Sequence, residues 1–402
     1  MLTLADIERA RGRIKDSIYM SPCAHSETFS SLTGNKVYFK LENLQMTGSF
    51  KERGALNKIL LLSDEEKRRG VIAASAGNHA QGVAYHATRN GIRSTIVMPT
   101  ATPLIKVTRT KEYGAEVVLH GASYDEAFDE AWRRREAEGL TFIHAFDDDA
   151  VMAGQGTVGL ELIEQNPYLE AVLVPIGGGG LISGIAVAMK EINPRIQIIG
   201  VQTARLPSMQ RAVAEKAPVV LPPAMTIADG IAVRKAGVRT LPVVTKYVDD
   251  IVTVDEEELA NAILLLVERE KTVAEGAGAA TLAALLRGKT NLHGKKVALI
   301  IGGGNIDVNI LSRIIERGLV KDGRLVRLRV RIPDHPGALH RLTGEIAAVR
   351  ANIQEVIHNR AFSRVDLGET AVDITLETRG AEHIVELMRI LHERGYEHER
   401  LF

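Results

Sequence analysis

The stretch AVLVPIGGGGLISGIAVAMKEI, residues 171–192, decides the fold. It begins with a short apolar run that suits a buried strand, continues through four consecutive glycines and ends in a helical pattern. Residues 171–189 carry no charge, which raises a membrane span as an alternative. We reject this alternative because Pro175 and the adjacent glycines would leave an isolated helix poorly formed. The stretch therefore predicts a buried strand, a glycine loop and a helix.

The same alternation recurs over most of the chain. Short runs rich in valine and isoleucine predict strands at 71–74, 94–97, 116–119, 171–176, 197–201 and 296–301, with helices such as 78–89, 103–113 and 181–191 between them. Uniformly apolar strands that alternate with helices indicate a parallel sheet covered on both faces. Ligands bind such α/β sheets where the carboxyl ends of strands lead into loops. Glycine-bearing loops lie at such points at 75–78, 177–180 and 302–305, so we predict a ligand crevice there.

The pattern changes near residue 320. A polar break at 321–324 precedes an alternating strand, a helix, two more strands and a second helix. The order strand–helix–strand–strand–helix–strand within this length is typical of a ferredoxin-like module. We therefore predict two domains, residues 1–320 and 325–402, and a helix that holds Pro336 in its first turn.

Composition excludes several classes of function. Fifty Lys and Arg residues balance fifty Asp and Glu residues, so the chain lacks the basic surface that nucleic acids or anionic membranes require. Aromatic residues make up only 4% of the chain, which disfavours base-stacking platforms. Cys23 is the single cysteine, so neither an internal disulfide nor a cysteine metal cage is expected. Residues 1–17 lack the apolar core of a signal peptide, and we predict a cytoplasmic protein.

Lys51 follows a small residue and an aromatic one in the motif Ser49–Ala55. Together with the motif at 75–82 and the glycine loops at 177–180 and 302–305, it resembles the fold-type II pyridoxal-phosphate enzymes over residues 5–315. Within that group the chain is most similar to threonine ammonia-lyases (threonine dehydratases). The resemblance implies a tryptophan synthase β-like fold with two subdomains built on parallel sheets, the smaller and mobile one at about 45–150. It also implies pyridoxal 5′-phosphate as the cofactor.

The resemblance assigns roles to these motifs. Lys51 would hold the cofactor as a Schiff base and, once displaced by substrate, would take the substrate α-proton. The glycine loop would bind the cofactor phosphate through N–H groups at a helix N-terminus. The implied cofactor-binding residues are Lys51, Phe50, Asn78, Gly177, Gly178, Gly179, Gly180, Leu181 and Gly302. The implied substrate-binding residues are Ser75, Ala76, Gly77, Asn78 and His79.

Some positions qualify the resemblance. Ala76 stands where serine racemases of the family carry a second acid/base, which favours elimination over inversion. Gln202 stands where the family usually has a metal-binding glutamate, so we predict no metal. Gly302 replaces a serine that normally meets the pyridine nitrogen, and what takes over this contact stays open. Glu275 and Asp229 match family motifs; Glu275 is either an active-site acid or a solvated or capping glutamate, and Asp229 has no assigned chemistry.

The C-terminal module has its own signature. Residues 332–339 and the pair Asn352-Ile353 resemble ACT domains, which are amino-acid-binding regulatory modules. The implied regulatory residues are Gly337, Ala338, Leu339, Asn352 and Ile353, with the N–H groups after the Gly337 turn available to a carboxylate. ACT domains commonly pair, which implies a homotetramer or a homodimer. A dimerisation module without a ligand remains an alternative.

The motifs together predict a pyridoxal-phosphate-dependent carbon–nitrogen lyase. It would convert L-threonine to 2-oxobutanoate and ammonia, and L-serine to pyruvate, under allosteric control by an amino acid. Isoleucine biosynthesis is the expected pathway, with a catabolic role left open. Serine racemase and 3-hydroxyaspartate ammonia-lyase are alternatives on the same scaffold, and a non-catalytic amino-acid sensor is an alternative of another class. A nicotinamide-dependent dehydrogenase is disfavoured, because Gly178-x-Gly180 lacks the third glycine of the dinucleotide fingerprint.

Overall fold

The computed structural model describes residues 1–359 and 366–401 and divides the chain into two compact units, Met1–Asp307 and Val308–Phe402. The helix at 308–321 clusters with the second unit, whereas the sequence boundary at 320 had assigned it to the first. Throughout the described part of the chain, no helix combines the length and the apolar character needed to cross a membrane.

The first unit contains two sheets. Its strands are β1 (Cys23–Ser26), β2 (Lys36–Leu41), β3 (Val71–Ala74), β4 (Ser94–Met98), β5 (Glu116–Leu119), β6 (Thr141–Phe142), β7 (Ala171–Pro175), β8 (Gln197–Thr203), β9 (Asp250–Val254) and β10 (Lys296–Ile301). The larger sheet has the order β1-β2-β10-β7-β8-β9, and the smaller sheet has the order β5-β4-β3-β6. All neighbouring strands run parallel except β1 and β2. The parallel α/β sheets are as predicted.

Helices cover these sheets. Those of the first unit are α1 (Leu4–Ile14), α2 (Glu27–Thr33), α3 (Lys51–Leu60), α4 (Asp64–Arg69), α5 (Asn78–Arg89), α6 (Leu104–Glu112), α7 (Tyr124–Glu138), α8 (Asp149–Gln165), α9 (Gly180–Ile192), α10 (Ser208–Glu215), α11 (Thr240–Tyr247), α12 (Glu256–Leu265) and α13 (Gly276–Leu286). Every residue of β7 is buried, because helices cover both faces of the sheet. Helix α9 approaches α8 at Gly184, where a Cβ would lie 2.4 Å from the carbonyl oxygen of Met152.

The second unit is ferredoxin-like. It consists of α14 (Val308–Lys321), β11 (Leu325–Pro333), α15 (Ala338–Ala348), β12 (Asn352–Asn359), β13 (Glu369–Glu377), α16 (Ala381–Glu393) and β14 (His398–Arg400). The sheet is antiparallel with the order β12-β13-β11-β14, which matches the predicted strand–helix–strand–strand–helix–strand module. The expected position of Pro336 inside the helix is wrong. Gly337 adopts a left-handed conformation (φ 87°) and caps α15, so Pro336 precedes the helix.

Candidate active site

Lys51 is the first residue of α3 and is largely buried. Its Nζ donates a hydrogen bond to the carbonyl oxygen of Ala145 at 2.9 Å and lies 5.3 Å from the centre of the Phe50 ring. Burial lowers the pKa of the Lys51 ammonium to about 8, although the nearby Glu275 opposes this shift. The lower pKa makes far more neutral amine available near pH 7 than an exposed lysine would provide. Neutral amine is the form that attacks an aldehyde.

The glycine loop joins β7 to the N-terminus of α9. A Cβ on Gly178 would lie 2.3 Å from the ring carbons of Phe146, and Gly179 has a φ of +100° that favours glycine. The Gly178 carbonyl accepts a hydrogen bond from Thr240 Oγ1 at 2.6 Å. Within the described residues, the N–H groups of Gly178, Gly179 and Gly180 donate to no acceptor. Unpaired N–H groups at a helix N-terminus fit a phosphate dianion, which is what pyridoxal phosphate carries.

Asn78 begins α5, directly after the loop at the end of β3. Its Nδ2 donates to Glu275 Oε1 at 2.7 Å, and its Oδ1 accepts from Asn305 Nδ2 at 2.9 Å. Glu275 is only 5% exposed, and its side chain forms no cap on α13. The alternative of a solvated or capping glutamate is therefore wrong, and the structure places this acid beside Asn78.

The other residues of the β3–α5 loop offer mainly backbone groups. Ser75 Oγ accepts the N–H of Gly77 at 3.2 Å, and Ala76 contributes only a methyl group. His79 is buried, and its Nε2 bonds to the carbonyl oxygen of Ile143 at 2.8 Å. Burial, aided by the Lys51 charge, lowers the pKa of His79 to about 3, so the ring is neutral at physiological pH. His79 therefore does not act as a cation in this site.

Gly302 lies beside Phe50, whose N–H donates to the Gly302 carbonyl oxygen at 3.0 Å. A Cβ on Gly302 would have no neighbour closer than 3.4 Å, so the missing side chain is not a steric requirement of the fold. Gln202, which the resemblance placed at the position of a metal-binding glutamate, is buried and hydrogen-bonded within the chain. Its Oε1 accepts the N–H groups of Met209 and Gln210, at 3.1 and 2.9 Å.

Sequence reasoning missed the segment that links these parts, residues 143–147, which follows β6. Its Ala145 carbonyl meets the Lys51 amine, and the Phe146 ring lies under the Gly178 loop. His144 Nδ1 fixes the turn by accepting the N–H groups of Phe146 and Asp147, at 3.2 and 2.8 Å. The segment carries no motif. Its only signal is its position at the carboxyl end of a parallel strand, where the other site loops also lie.

The predicted regulatory residues lie in the second unit. Ala338, Leu339 and Ile353 pack in or against its hydrophobic core. Asn352 Nδ2 donates to Glu377 Oε2 at 3.0 Å. The structure thus gives these residues local packing and hydrogen bonds, and their regulatory role stays a prediction.

A family model described as "Pyridoxal-phosphate dependent enzyme" matches residues 14–303. The chain belongs to this family. Membership confirms the predicted type II fold of the first unit and establishes pyridoxal 5′-phosphate as the cofactor. The buried Lys51 amine and the open N–H groups of the glycine loop fit this cofactor, because they match its aldehyde and its phosphate.

Relatives in the family include both lyases and racemases. L-threonine ammonia-lyase from Thermotoga maritima is 50% identical over 397 residues, which cover 99% of each chain. The structure of the processed form of threonine deaminase isoform 2 from Solanum lycopersicum is 38% identical, with a TM-score of 0.75 over 78% of this chain and 86% of that one. The structure of maize serine racemase is 36% identical, with a TM-score of 0.75 over 80% of this chain and 98% of that one. The fold alone therefore does not separate elimination from racemisation.

Proposed function

We propose that this protein is a threonine ammonia-lyase, which converts L-threonine to 2-oxobutanoate and ammonia and also converts L-serine to pyruvate. One observation carries the proposal: the largely buried Lys51 amine shares its site with an N–H-lined phosphate cradle, while Ala76 offers no second acid or base. The similarity along nearly the whole chain to the Thermotoga maritima L-threonine ammonia-lyase supports the same activity.

In the proposed mechanism, bound pyridoxal phosphate supplies an aldehyde and an electron sink that acidifies the substrate α-proton. The N–H groups of residues 178–181 would hold the phosphate, and Phe50 would pack beside the ring. The backbone of the β3–α5 loop, at Ser75–His79, binds the substrate carboxylate at the N-terminus of α5. Lys51 Nζ takes the α-proton, because its low pKa leaves neutral amine available. The β-hydroxyl then takes up a proton and leaves as water. The enamine released from the site tautomerises to an imine, which water hydrolyses to 2-oxobutanoate and ammonia.

Ala76 distinguishes elimination from racemisation in this proposal. Inversion requires proton transfer on both faces of the α-carbon, and a methyl group neither donates nor accepts a proton. Elimination requires α-proton removal on one face only, which Lys51 performs. We therefore expect D-serine formation from L-serine to be far slower than pyruvate formation. Racemisation at a rate comparable to elimination would favour the activity named for the maize relative.

The test is keto-acid release from L-threonine and L-serine by the pyridoxal-phosphate-loaded protein, with D-serine measured in parallel. The variant Lys51→Ala should lose about a thousandfold or more in kcat/KM, since one group binds the cofactor and moves the proton. Lys36→Ala, which changes an exposed lysine on β2, is the control and should keep wild-type rates. If the loaded protein released no keto acid from either substrate, the lyase proposal would be overturned. D-serine formation would then favour a racemase, and absence of both products would favour an amino-acid sensor.

We propose further that the second unit is an ACT module that binds an amino-acid effector and pairs with other copies in a homotetramer or homodimer. Its ferredoxin-like strand order and the left-handed Gly337 before α15 support this assignment. The residues proposed for the effector are Gly337, Ala338, Leu339, Asn352 and Ile353. Calorimetric titration with L-isoleucine, L-valine, L-threonine and L-serine tests the effector, and light scattering tests the assembly. If none of the four amino acids bound, the effector proposal would be overturned and only the pairing role of the second unit would remain.

A further inference from the structure

The amide of Asn78 is held at both ends. Asn305 Nδ2 binds its Oδ1 at 2.9 Å, and Glu275 Oε1 accepts from its Nδ2 at 2.7 Å. An amide nitrogen carries two hydrogens, so Glu275 takes one and leaves the second for a ligand of the site. Asn305 is fixed in turn, because its Nδ2 also donates to the Thr47 carbonyl oxygen at 2.8 Å. The direction of the remaining Asn78 N–H is therefore set by Glu275 and Asn305.

Glu275 has little freedom to move. A Cβ on Gly303 would lie 2.6 Å from Glu275 Oε1, and a Cβ on Gly230 would lie 3.0 Å from the same oxygen. Two glycine backbones thus pack directly against the carboxyl group. The Glu275 N–H also donates to the Gly303 carbonyl oxygen at 3.0 Å. Packing and backbone pairing together fix the oxygen that orients Asn78.

An ion pair from the smaller sheet layer lies next to this carboxyl group. Lys106, on α6, pairs with Asp229 at 2.7 Å, and Asp229 precedes the Gly230 that packs on Glu275. Burial, with a smaller contribution from the Asp229 charge, raises the pKa of Glu275 to about 8, against the opposing effects of the Asn78 hydrogen bond and the Lys106 and Lys51 charges. These are the charged groups that act on Glu275 from α6, from the loop before α11 and from α3.

Two further charged groups lie near these elements without binding the carboxyl group. Arg109, also on α6, donates to Asn305 Oδ1 at 3.4 Å. Glu256, on α12, accepts the N–H of Ile227 at 2.7 Å. Their side chains bind Asn305 and the loop backbone rather than Glu275. Burial has the largest effect on the Glu275 charge, and Asp229 and Lys106 modulate it.

We propose that Glu275 is a positioning residue that orients Asn78 at the Lys51 site, and that the Lys106–Asp229 ion pair, next to the Gly230 that packs on Glu275, modulates the charge of Glu275. This inference rests on the cofactor site of the proposed function and deepens it. Helix α6 belongs to the smaller sheet layer, so its contact with Asp229 makes the charge at the site depend on how that layer meets the larger one. Glu275 itself touches neither the substrate nor the cofactor in this proposal.

The two sides of the ion pair give opposite predictions. Asp229→Asn removes a negative charge beside Glu275, which favours the ionised carboxylate and lowers its titration midpoint. Lys106→Met leaves Asp229 uncompensated, which disfavours ionisation and raises the midpoint. Each shift should be about 0.5 pH unit, because the pair is partly exposed and screened. If the ion pair only held the two sheet layers together, both variants would break it and would shift the Glu275 midpoint in the same direction.

The first measurement uses apoprotein and needs no substrate. Since the folded-state pKa of Glu275 is raised, its stabilising contribution is present at acid pH and is lost as pH rises from about 4.5 to about 8. Thermal unfolding is measured across this pH range for wild type, Asp229→Asn and Lys106→Met, each with and without the additional change Glu275→Gln. The difference in Tm within each pair, plotted against pH, isolates the titration of Glu275. The control is Asp125→Asn, which breaks another ion pair of the smaller layer, with Arg234 at 2.5 Å, and should not move the midpoint.

The second measurement uses the loaded enzyme. Glu275→Gln keeps an acceptor for Asn78, so its kcat should exceed that of Glu275→Ala at least tenfold. The pH dependence of the cofactor absorbance should lose the Glu275 transition in both variants. Midpoint shifts of the same sign in Asp229→Asn and Lys106→Met, or equal kcat values for the two Glu275 variants, would overturn the proposal. Correct shifts without threonine turnover would remove the proposed function and leave the charge coupling standing, with unfolding and cofactor absorbance as its readouts in place of kcat.

Discussion

Replacing Arg53 should destabilise the first unit more than any surface substitution. Arg53 lies on α3, two residues after Lys51, and is 1% exposed. Its guanidinium donates to Glu42 at 2.7 and 2.8 Å and to Glu161 at 2.6 and 2.9 Å. A further N–H reaches Thr157 Oγ1 at 3.0 Å. The Arg53 guanidinium therefore forms bidentate hydrogen bonds with two buried carboxylates at once, a geometry that arginine favours.

The variant Arg53→Met removes the charge and keeps much of the volume. Glu42 and Glu161 then remain buried, and among the described residues the cationic partner that is left is Lys40, which binds Glu161 at 2.6 Å. Loss of one partner from a buried ion pair costs about 3–5 kcal/mol. For a unit of this size that corresponds to roughly 5–8 °C in Tm. Arg11→Met is the matched control, because Arg11 pairs with Glu164 at the surface, where a pair contributes about 1 kcal/mol or less.

Acid pH provides a second check on the same reasoning. Burial opposes ionisation of Glu42, but the Arg53 charge and hydrogen bonds outweigh it and hold the pKa of Glu42 below its usual value. That contribution to stability is present above about pH 4.5 and is lost as the pH falls further. Unfolding by urea and by heat should therefore show a gap between wild type and Arg53→Met that narrows below this pH. Equal losses in Arg53→Met and Arg11→Met at neutral pH would refute the reasoning.

Two further predictions concern the cofactor. Gly178→Ala should weaken pyridoxal-phosphate binding at least tenfold in a fluorescence titration, since its Cβ would lie 2.3 Å from the Phe146 ring. Gly302→Ala should change the affinity less than threefold, because its Cβ would have no neighbour closer than 3.4 Å. Similar losses in both variants would contradict this steric argument. The rate at which apoprotein takes up the cofactor should rise with pH through about 8, because Lys51 reacts as neutral amine. Stopped-flow absorbance measures this rate, and a midpoint near 10.5 would show that burial does not perturb Lys51.

The strands and the glycine loop were predictable because each depends on local pattern. Residues 71–74, 116–119 and 296–301 form strands with the predicted bounds, since uniformly apolar runs suit a sheet covered on both faces. The loop between β7 and α9 was predicted because consecutive glycines after an apolar run favour a turn, and its role in binding the cofactor phosphate stays a prediction. Pro336 was misplaced because local preference allows proline in a first helical turn, and the left-handed Gly337 begins the helix later.

The resemblance pointed to Glu275 as a candidate acid, but the contacts of the site's supporting residues were not predictable in this way. Glu275 lies 197 residues from the Asn78 that it orients, and Glu161 lies 108 residues from Arg53. Charge alone suggests that such glutamates are exposed, and only the tertiary structure shows which cations and amides surround them. The contact of Ala145 with Lys51 was not predictable for another reason. Ala145 binds through its backbone carbonyl, and any residue type provides that group.

The geometry around Lys51 depends on one pair of helices. Helices α3 and α8 can approach closely because Gly54 and Gly154 have no side chains at their contact. A Cβ on Gly54 would lie 2.4 Å from Gln155, and a Cβ on Gly154 would lie 2.6 Å from the Arg53 carbonyl oxygen. The loop before α8 supplies the carbonyl that binds the Lys51 amine, and the body of α8 supplies Glu161 to Arg53. A shift of α3 along α8 would therefore break the buried charge network and the Lys51 contact together. The network thus stabilises the unit and keeps the amine at a fixed distance from the glycine loop.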